Sequence, residues 1–459
     1  MSIITCLFEF DVSAARRASL PLLALAVGAC GSNTEPQITI VQDDAGGEAA
    51  PSDGGLDVAP DAGDPGGPPK CVATGGGTTT PTARDDSAGA LDATGKQLLV
   101  FGGDTDATAC GASPTPAHVG DTWLLDVGCG TFKQVDGTGP SARARHAITE
   151  DRTATGAGRA LLFGGRTRPA GGTGAFTPLN DVWSFDFATT SWSELATTGT
   201  KPTPRYDTSI AVSAKRSKLY LFGGNVSTSA LTFSPRSDTF VLDLATKTWA
   251  GVGDPAGAKP QPRELHAVAL DDDAGVLYLH SGADERASTG PFFDDLWALD
   301  LETEAWSEIT THGDPPLGRI AHHMEFDRAT KHLVIFGGHD DGDVGNQNDV
   351  WTIDPKAASP TWSKLALGDA LSKKGTGACT LPADFTTIDK RSPERRASFV
   401  FGARADGQGF YVYGGKSDCG LLADGWWFSA ASSSWTQTLK SPVGLSCLRY
   451  STTCSALCG

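Results

Sequence analysis

Four arginines, Arg143, Arg205, Arg263 and Arg319, stand at the same point of a repeated unit. Guanidinium groups gathered on one rim would bind carboxylates or acidic sugars, because the planar fork matches two oxygens at once. Arg166, Arg168 and Arg236, with Phe292 and Phe293, lie in segments that differ from unit to unit. Variable loops on a regular scaffold are where specific contacts concentrate, so these five are ligand-binding candidates too. A third chemistry is cation binding. The stretch GGHDDGDVGNQNDVW groups His339, Asp340, Asp341, Asp343, Asn346 and Asn348, and oxygen-rich loops of this kind suit calcium. Its spacing matches no EF-hand, and short Asp/Gly/Asn loops also serve as plain turns. No cofactor is expected beyond this calcium alternative. No G-x-S-x-G elbow, H-E-x-x-H, Walker loop or dinucleotide fingerprint occurs, so no catalytic residues are assigned. His146, His266 and His322 occupy equivalent repeat positions, which points to backbone satisfaction. Strand alternation sends His322 and His323 to opposite faces.

These residues are positioned by a unit that occurs six times. An apolar run ends at Gly102-Gly103, Gly164-Gly165, Gly223-Gly224, Ser281-Gly282, Gly337-Gly338 and Gly414-Gly415. Each is answered by Asp-x-Trp or Asp-x-Phe, beginning at Asp121, Asp181, Asp238, Asp295, Asp349 and Asp424. A further aromatic follows: Phe132, Trp192, Trp249, Trp306, Trp362 and Trp435. Each unit opens on Arg, two residues, then His, Ser or Thr: Arg84/Ser87, Arg143/His146, Arg205/Thr208, Arg263/His266, Arg319/His322 and Arg395/Ser398. A long-period repeat fixes architecture before any single residue is interpreted. Short runs of Val, Ile, Leu, Phe and Tyr bounded by Gly, Pro, Asp and Ser read as four strands per unit. No long apolar 3.6-residue period appears, so helices are not expected.

An apolar run, a double glycine and two spaced aromatics resemble the kelch repeat over about residues 84–436. The resemblance implies an all-β fold, a six-bladed kelch-type β-propeller with four antiparallel strands per blade. It also implies that the repeated Arg and the His or Ser after it hold loop backbone, an alternative to the ligand-binding reading. The sixth unit is stretched near 366–392. Galactose-oxidase-like copper enzymes are kelch relatives, but the Tyr and Cys residues do not fall where such a site needs them.

The chain ends suggest export. Arg16-Arg17 precede LPLLALAVGAC, an apolar stretch too short to span a membrane. Val27-Gly28-Ala29-Cys30 resembles a bacterial lipobox, which makes residues 1–29 a signal peptide and Cys30 the lipid attachment site. The preceding stretch fits no signal, so translation is expected to begin later, near Val12. Residues 30–70 form an acidic Gly/Pro/Asp tether whose composition predicts disorder. Residues 31–70 supply −7 of the formal −17 charge, and the moderate remainder argues against nucleic acid. The propeller is placed at 71–440 and a Cys-containing tail at 441–459. Cys71, Cys110, Cys129, Cys379, Cys419, Cys447, Cys454 and Cys458 are an even set in an exported chain, which suggests disulfides. Because a propeller's ends meet, Cys71 is expected to pair with one of the last three. The leading functional expectation is a monomeric, non-enzymatic module in the cell envelope. It would sit at the outer membrane or cell surface, touch the membrane only through its lipid, and bind a protein or glycan on its longer-loop face. An exported oxidase, hydrolase or isomerase and a purely structural envelope protein are the alternatives.

Overall fold

The computed structural model describes residues 66–71, 79–105, 118–168, 175–229, 232–252, 258–287, 290–340, 345–371, 385–387, 391–417 and 420–441. They build a six-bladed β-propeller. Its inner strands are Ala88–Leu91, Ala147–Asp151, Ser209–Ser213, Ala267–Asp271, His323–Asp327 and Val400–Ala403. Each blade is a four-stranded antiparallel sheet whose strands follow chain order from axis to rim. Blade three gains a fifth strand, Thr198–Gly199, parallel to the outer strand Thr248–Gly251.

Burial explains the sequence pattern. Second strands such as Gln97–Phe101 are buried at every position but the first, because both faces meet neighbouring blades. That is why they read as continuous apolar runs. Outer strands such as Ser191–Glu194 are largely exposed. Large side chains fill all six seams. Leu98, Trp123 and Phe132 of blade one pack with Tyr411, Tyr413 and Trp427 of blade six. Tyr278 of blade four packs with Phe326, Leu333 and Trp362 of blade five.

The double glycine joins neighbouring blades. Its second residue donates its N–H to the carbonyl of the next blade's buried arginine, at 2.8–3.1 Å in all six cases, including Gly415 to Arg84 across the closing seam. The second glycines have φ between 90° and 102°. A Cβ on Gly224 would lie 2.7 Å from Thr208 Cβ and 2.8 Å from the Tyr206 carbonyl. The first position has φ near 60°, a region that a side chain can enter at a cost, and here blade four carries Ser281 (φ 60°). Gly224→Ala is expected to cost about 1–3 kcal/mol by strain alone, measured by urea denaturation, whereas Ser281→Gly should be far milder.

One expectation is corrected at the chain's beginning. Cys71 is bonded to Cys129, in the turn between the third and outer strands of blade one, and not to the C-terminal cysteines. The strap at residues 66–71 runs beneath blades six and one, so its near neighbour is the bottom turn of blade one. Cys110, Cys379, Cys419, Cys447, Cys454 and Cys458 lie outside the described residues, as does Cys30.

Candidate functional site

The repeated arginines lie inside the scaffold. Arg143, Arg205, Arg263 and Arg319 are at most 1% exposed. Their guanidinium groups grip Asp181, Asp238, Asp295 and Asp349 through both carboxylate oxygens. In each, Nη1 also donates to the carbonyl of the first residue of the glycine pair. These forks are fully occupied, which corrects the reading that they ring the mouth as ligand donors. Arg84 makes the same contacts to Asp121 and Gly102. Five of the six carboxylates also accept the indole N–H of their Asp-x-Trp partner; blade three carries Phe240 instead. Burial opposes ionisation of Asp121, Asp181, Asp295, Asp349 and Asp424, but the arginine outweighs it and holds each below the usual carboxylate range.

The sixth blade shifts by one residue from the expected register. Arg396, not Arg395, grips Asp424 and the Gly414 carbonyl. Phe399 therefore takes the place held by His146, His266 and His322 elsewhere. Arg395 donates to the Asn346 carbonyl.

The axial mouth is built two residues beyond each buried arginine, by Asp86, Arg145, Asp207, Leu265, Ala321 and Ser398. All six have φ between 51° and 58°. Each donates its N–H to the carbonyl of its counterpart in the preceding blade, at 2.9–3.2 Å, so the bonds close into a ring. Left-handed backbone costs a non-glycine residue about 1 kcal/mol or more, and a bond to each neighbour offsets it. Below the ring lies a cavity of about 160 Å³, lined in part by His146, His266, His323 and Phe401. His323 stacks on Phe401 with centroids 4.8 Å apart, while His322 meets His280 at 3.0 Å, so the two adjacent histidines serve different seams.

The rim is electrically lopsided. Arg145 bridges Asp86 at 2.7 Å and Asp207 at 2.9 Å, whereas blades four to six contribute Leu265, Ala321 and Ser398. Burial would raise Asp86, but Arg145 and Arg166 hold it down to about 2. Asp207 stays raised, because burial outweighs the same arginines. Behind it, Glu264 is fully buried and is pushed up to about 8 by burial and by the Asp207 charge. It accepts a hydrogen bond from Asn225 at 2.6 Å.

The variable loops add cations and rings. Arg166 lies in a small hairpin, Arg166–Thr167 with Thr177–Pro178. Its guanidinium carbon stands 3.8 Å from the Phe176 ring centre and 4.8 Å from that of Tyr206, and Arg168 stands 4.4 Å from Phe176. Burial and the nearby Arg145 lower the Arg166 pKa. Among the described residues, neither Arg166 nor Arg168 forms a side-chain hydrogen bond or ion pair. The His118 side chain, 3% exposed, lies in the same sector, 4.0 Å from Asp104.

The other sequence candidates are dispersed. Arg236 is exposed and uses its backbone to pair with Arg263. Phe293 lies 4.1 Å from the Arg263 guanidinium, and Phe292 packs near Ala283, Ala287 and Ile320. In the proposed calcium loop, His339 Nδ1 lies 2.9 Å from Asn346 Oδ1, and Asp340 is buried. Asp341 and Asp343 lie outside the described residues. Among the described residues no group of three or more His, Cys, Asp or Glu side chains is placed to hold a metal. Asp86, Arg145, Asp207 and Glu264 were missed by sequence reasoning. Their signal was variation at the two positions after the arginine, within a motif otherwise kept constant.

Comparison with known proteins agrees with this architecture. The chain matches the KLHDC2/KLHL20/DRC7 Kelch-repeats domain over residues 72–274, 213–388 and 276–456. It is 30% identical over 220 residues to Acyl-CoA-binding domain-containing protein 4 of Arabidopsis thaliana, covering 46% of this chain and 30% of that protein. It is 28% identical over 261 residues to human Host cell factor 2, covering 52% and 29%. With the Rab9 effector protein with kelch motifs of Gallus gallus the figures are 35% over 171 residues, covering 36% and 41%. The chain thus spans less than half the length of these relatives. A solved structure titled "Structure of YjhT" superposes with a TM-score of 0.53 at 15% identity, covering 78% of this chain and 99% of that one, a likeness of fold.

Proposed function

For a chain that belongs to the kelch-repeat family, we propose the role of an exported, lipid-anchored module that binds a protein partner through the mouth face. Kelch propellers typically serve protein interaction, and the shared scaffold leaves the differing loops to choose the partner. The observation that carries this reading is the pair Arg166 and Arg168, stacked on Phe176 and Tyr206 and forming no side-chain hydrogen bond or direct ion pair among the described residues. Stacked guanidinium groups keep their N–H edges free for carboxylates while their faces are held. An acidic protein surface fits this chemistry, and an acidic glycan shares it. The Cys71–Cys129 bond supports an oxidising compartment. Cys30 acylation remains the proposed anchor, checked by intact mass of the mature protein.

The test is capture by crosslinking on intact cells, comparing the native protein with Arg166→Ala/Arg168→Ala. The variant is expected to lose partner recovery at least tenfold, while its unfolding free energy in urea falls by about 2 kcal/mol or less, as half-buried cation–π contacts allow. Equal recovery by both proteins would sink this assignment of the surface. Turnover of a sugar or alcohol that disappears with mouth-face substitutions would replace it with an enzymatic one.

A further inference from the structure

Five of the six seams are crossed by the polypeptide itself. Among the described residues the seam between blades six and one has no such blade-to-blade connection, and no described strand of either blade comes from the opposite end of the chain. It holds the longest bond of the axial ring, Asp86 N–H to Ser398 carbonyl at 3.2 Å. On the face away from the mouth it is spanned by the strap at residues 66–71. At one end of the strap the Gly66 carbonyl accepts the buried Trp427 indole N–H at 2.7 Å. A Cβ on Gly66 would meet Ser429 Oγ at 2.7 Å and the Gln408 carbonyl at 2.9 Å, so the strap lies directly on blade six. At the other end Cys71 is bonded to Cys129 of blade one. Beside it, a Cβ on Gly128 would reach the Pro69 carbonyl at 2.4 Å, and one on Gly130 the Thr438 carbonyl of blade six at 2.3 Å. The disulfide is therefore the mount of a clamp whose jaw grips blade six.

We propose that the Cys71–Cys129 bond is a redox latch on the propeller ring, and that its reduction loosens this one seam and the mouth rim standing on it. Cys71 is exposed, which gives a dithiol reductant access. One reductant thiolate attacks a disulfide sulfur, forming a mixed disulfide and expelling the other cysteine as thiolate. The second reductant thiol then displaces the first cysteine. The reductant leaves as a disulfide, two electrons have passed to the protein, and Cys71 and Cys129 each take up a proton. Freed from its mount, the strap is held on blade six by the Gly66 bond to Trp427 and on blade one by the packing of Pro69 against Gly128. Asp86 then couples the seam to the mouth, because it carries both the ring bond to Ser398 and the ion pair to Arg145.

Hydrogen exchange by mass spectrometry on the full chain tests this. Native protein and Cys71→Ser/Cys129→Ser are each compared with and without a dithiol reductant, beside Trp427→Phe, which removes the strap's indole bond and keeps the disulfide. Amides of Ala88–Leu91, Val400–Ala403 and Ser434–Leu439 are expected to exchange about 30- to 1000-fold faster in the serine variant, the range of typical disulfide stabilisation. Lys218–Phe222 and Val276–His280 should hold their native rates. Reduced native protein should match the variant, the variant should not respond to reductant, and Trp427→Phe should show a smaller effect at the same strands. If the serine variant is not recovered, the native protein with and without reductant decides. Unchanged seam protection after reduction, or loss spread evenly over all six blades, would overturn the proposal.

Discussion

Arg396→Ala is expected to cost about 3–5 kcal/mol of unfolding free energy, the largest single loss from any charged residue of the sixth blade. Arg396 is fully buried, and its removal leaves the Asp424 carboxylate with only the Trp426 indole N–H among its side-chain donors. The Gly414 carbonyl loses its donor as well. An uncompensated buried carboxylate is costly because its charge keeps little of its hydration. Asp424→Ala should be nearly as damaging, since it strands the cation. Chemical denaturation of both single variants and the double variant gives the coupling energy, expected to be strongly non-additive. Arg395→Ala supplies the contrast, with coupling to Asp424 near zero. If Arg395 rather than Arg396 couples to Asp424, the register described for this blade is wrong.

The second large effect is acid lability. Burial holds His146, His266 and His280 near pKa 3 and His323 near 4, and lowers His118 and His322 as well. His280 and His322 face each other ring nitrogen to ring nitrogen at 3.0 Å, which accommodates one shared proton and resists a second. A depressed histidine means that the unfolded chain binds a proton the native state refuses. Stability therefore falls as pH drops below about 6.5, by up to about 1.4 kcal/mol per pH unit for each such histidine. Four carboxyls act in the opposite sense, Asp85 and Asp207 among them. Burial raises Glu264 and Glu325 to about 8, so the native state keeps protons that the unfolded chain releases above about 4.5. Their contribution grows as pH falls from 8 towards 4.5 and offsets part of the histidine loss. Stability should peak near pH 6.5 and fall steeply below it, measured as urea midpoints at half-unit steps from pH 8 to 4.5. His266→Phe, which copies the Phe399 side chain found at the equivalent point of blade six, should flatten the acid limb by about one histidine's share. An unchanged limb would show that His266 is not held neutral.

Much of the scaffold was legible because its causes are local. Four apolar residues before Gly-Gly must be a strand buried on both faces, and six copies of the unit define six blades. The sixth arginine was misassigned because Arg395 and Arg396 stand side by side and Ser398 looked like the counterpart of His146. The separation to the first residue of the glycine pair carried the answer. It is 18 residues from Arg84, Arg205, Arg263, Arg319 and Arg396 alike. The salt bridges joining each arginine to the Asp of Asp-x-Trp span 28 to 38 residues, a pairing that no periodicity of strands encodes. The disulfide was hidden for a similar reason. Cys71 lies close to Cys129 only because the strap folds under a turn. The charged rim was obscured by position, since it occupies the two residues between the constant letters of the opening motif.

The ring of six amides at the axis has a consequence for how this surface can change. Its peptide dipoles run head to tail around a circle, so their components in the plane of the ring cancel and no N–H is left over for a visitor. Whatever enters the mouth meets a main chain whose donors are already spent, and it must be distinguished by side chains alone. Those side chains, from Asp86 round to Ser398, project from positions whose backbone geometry is the same in every blade. The mouth thus works as a six-character dial. A single substitution can reset one character, from charge to hydroxyl to methyl, without disturbing the circle of bonds on which all six are mounted.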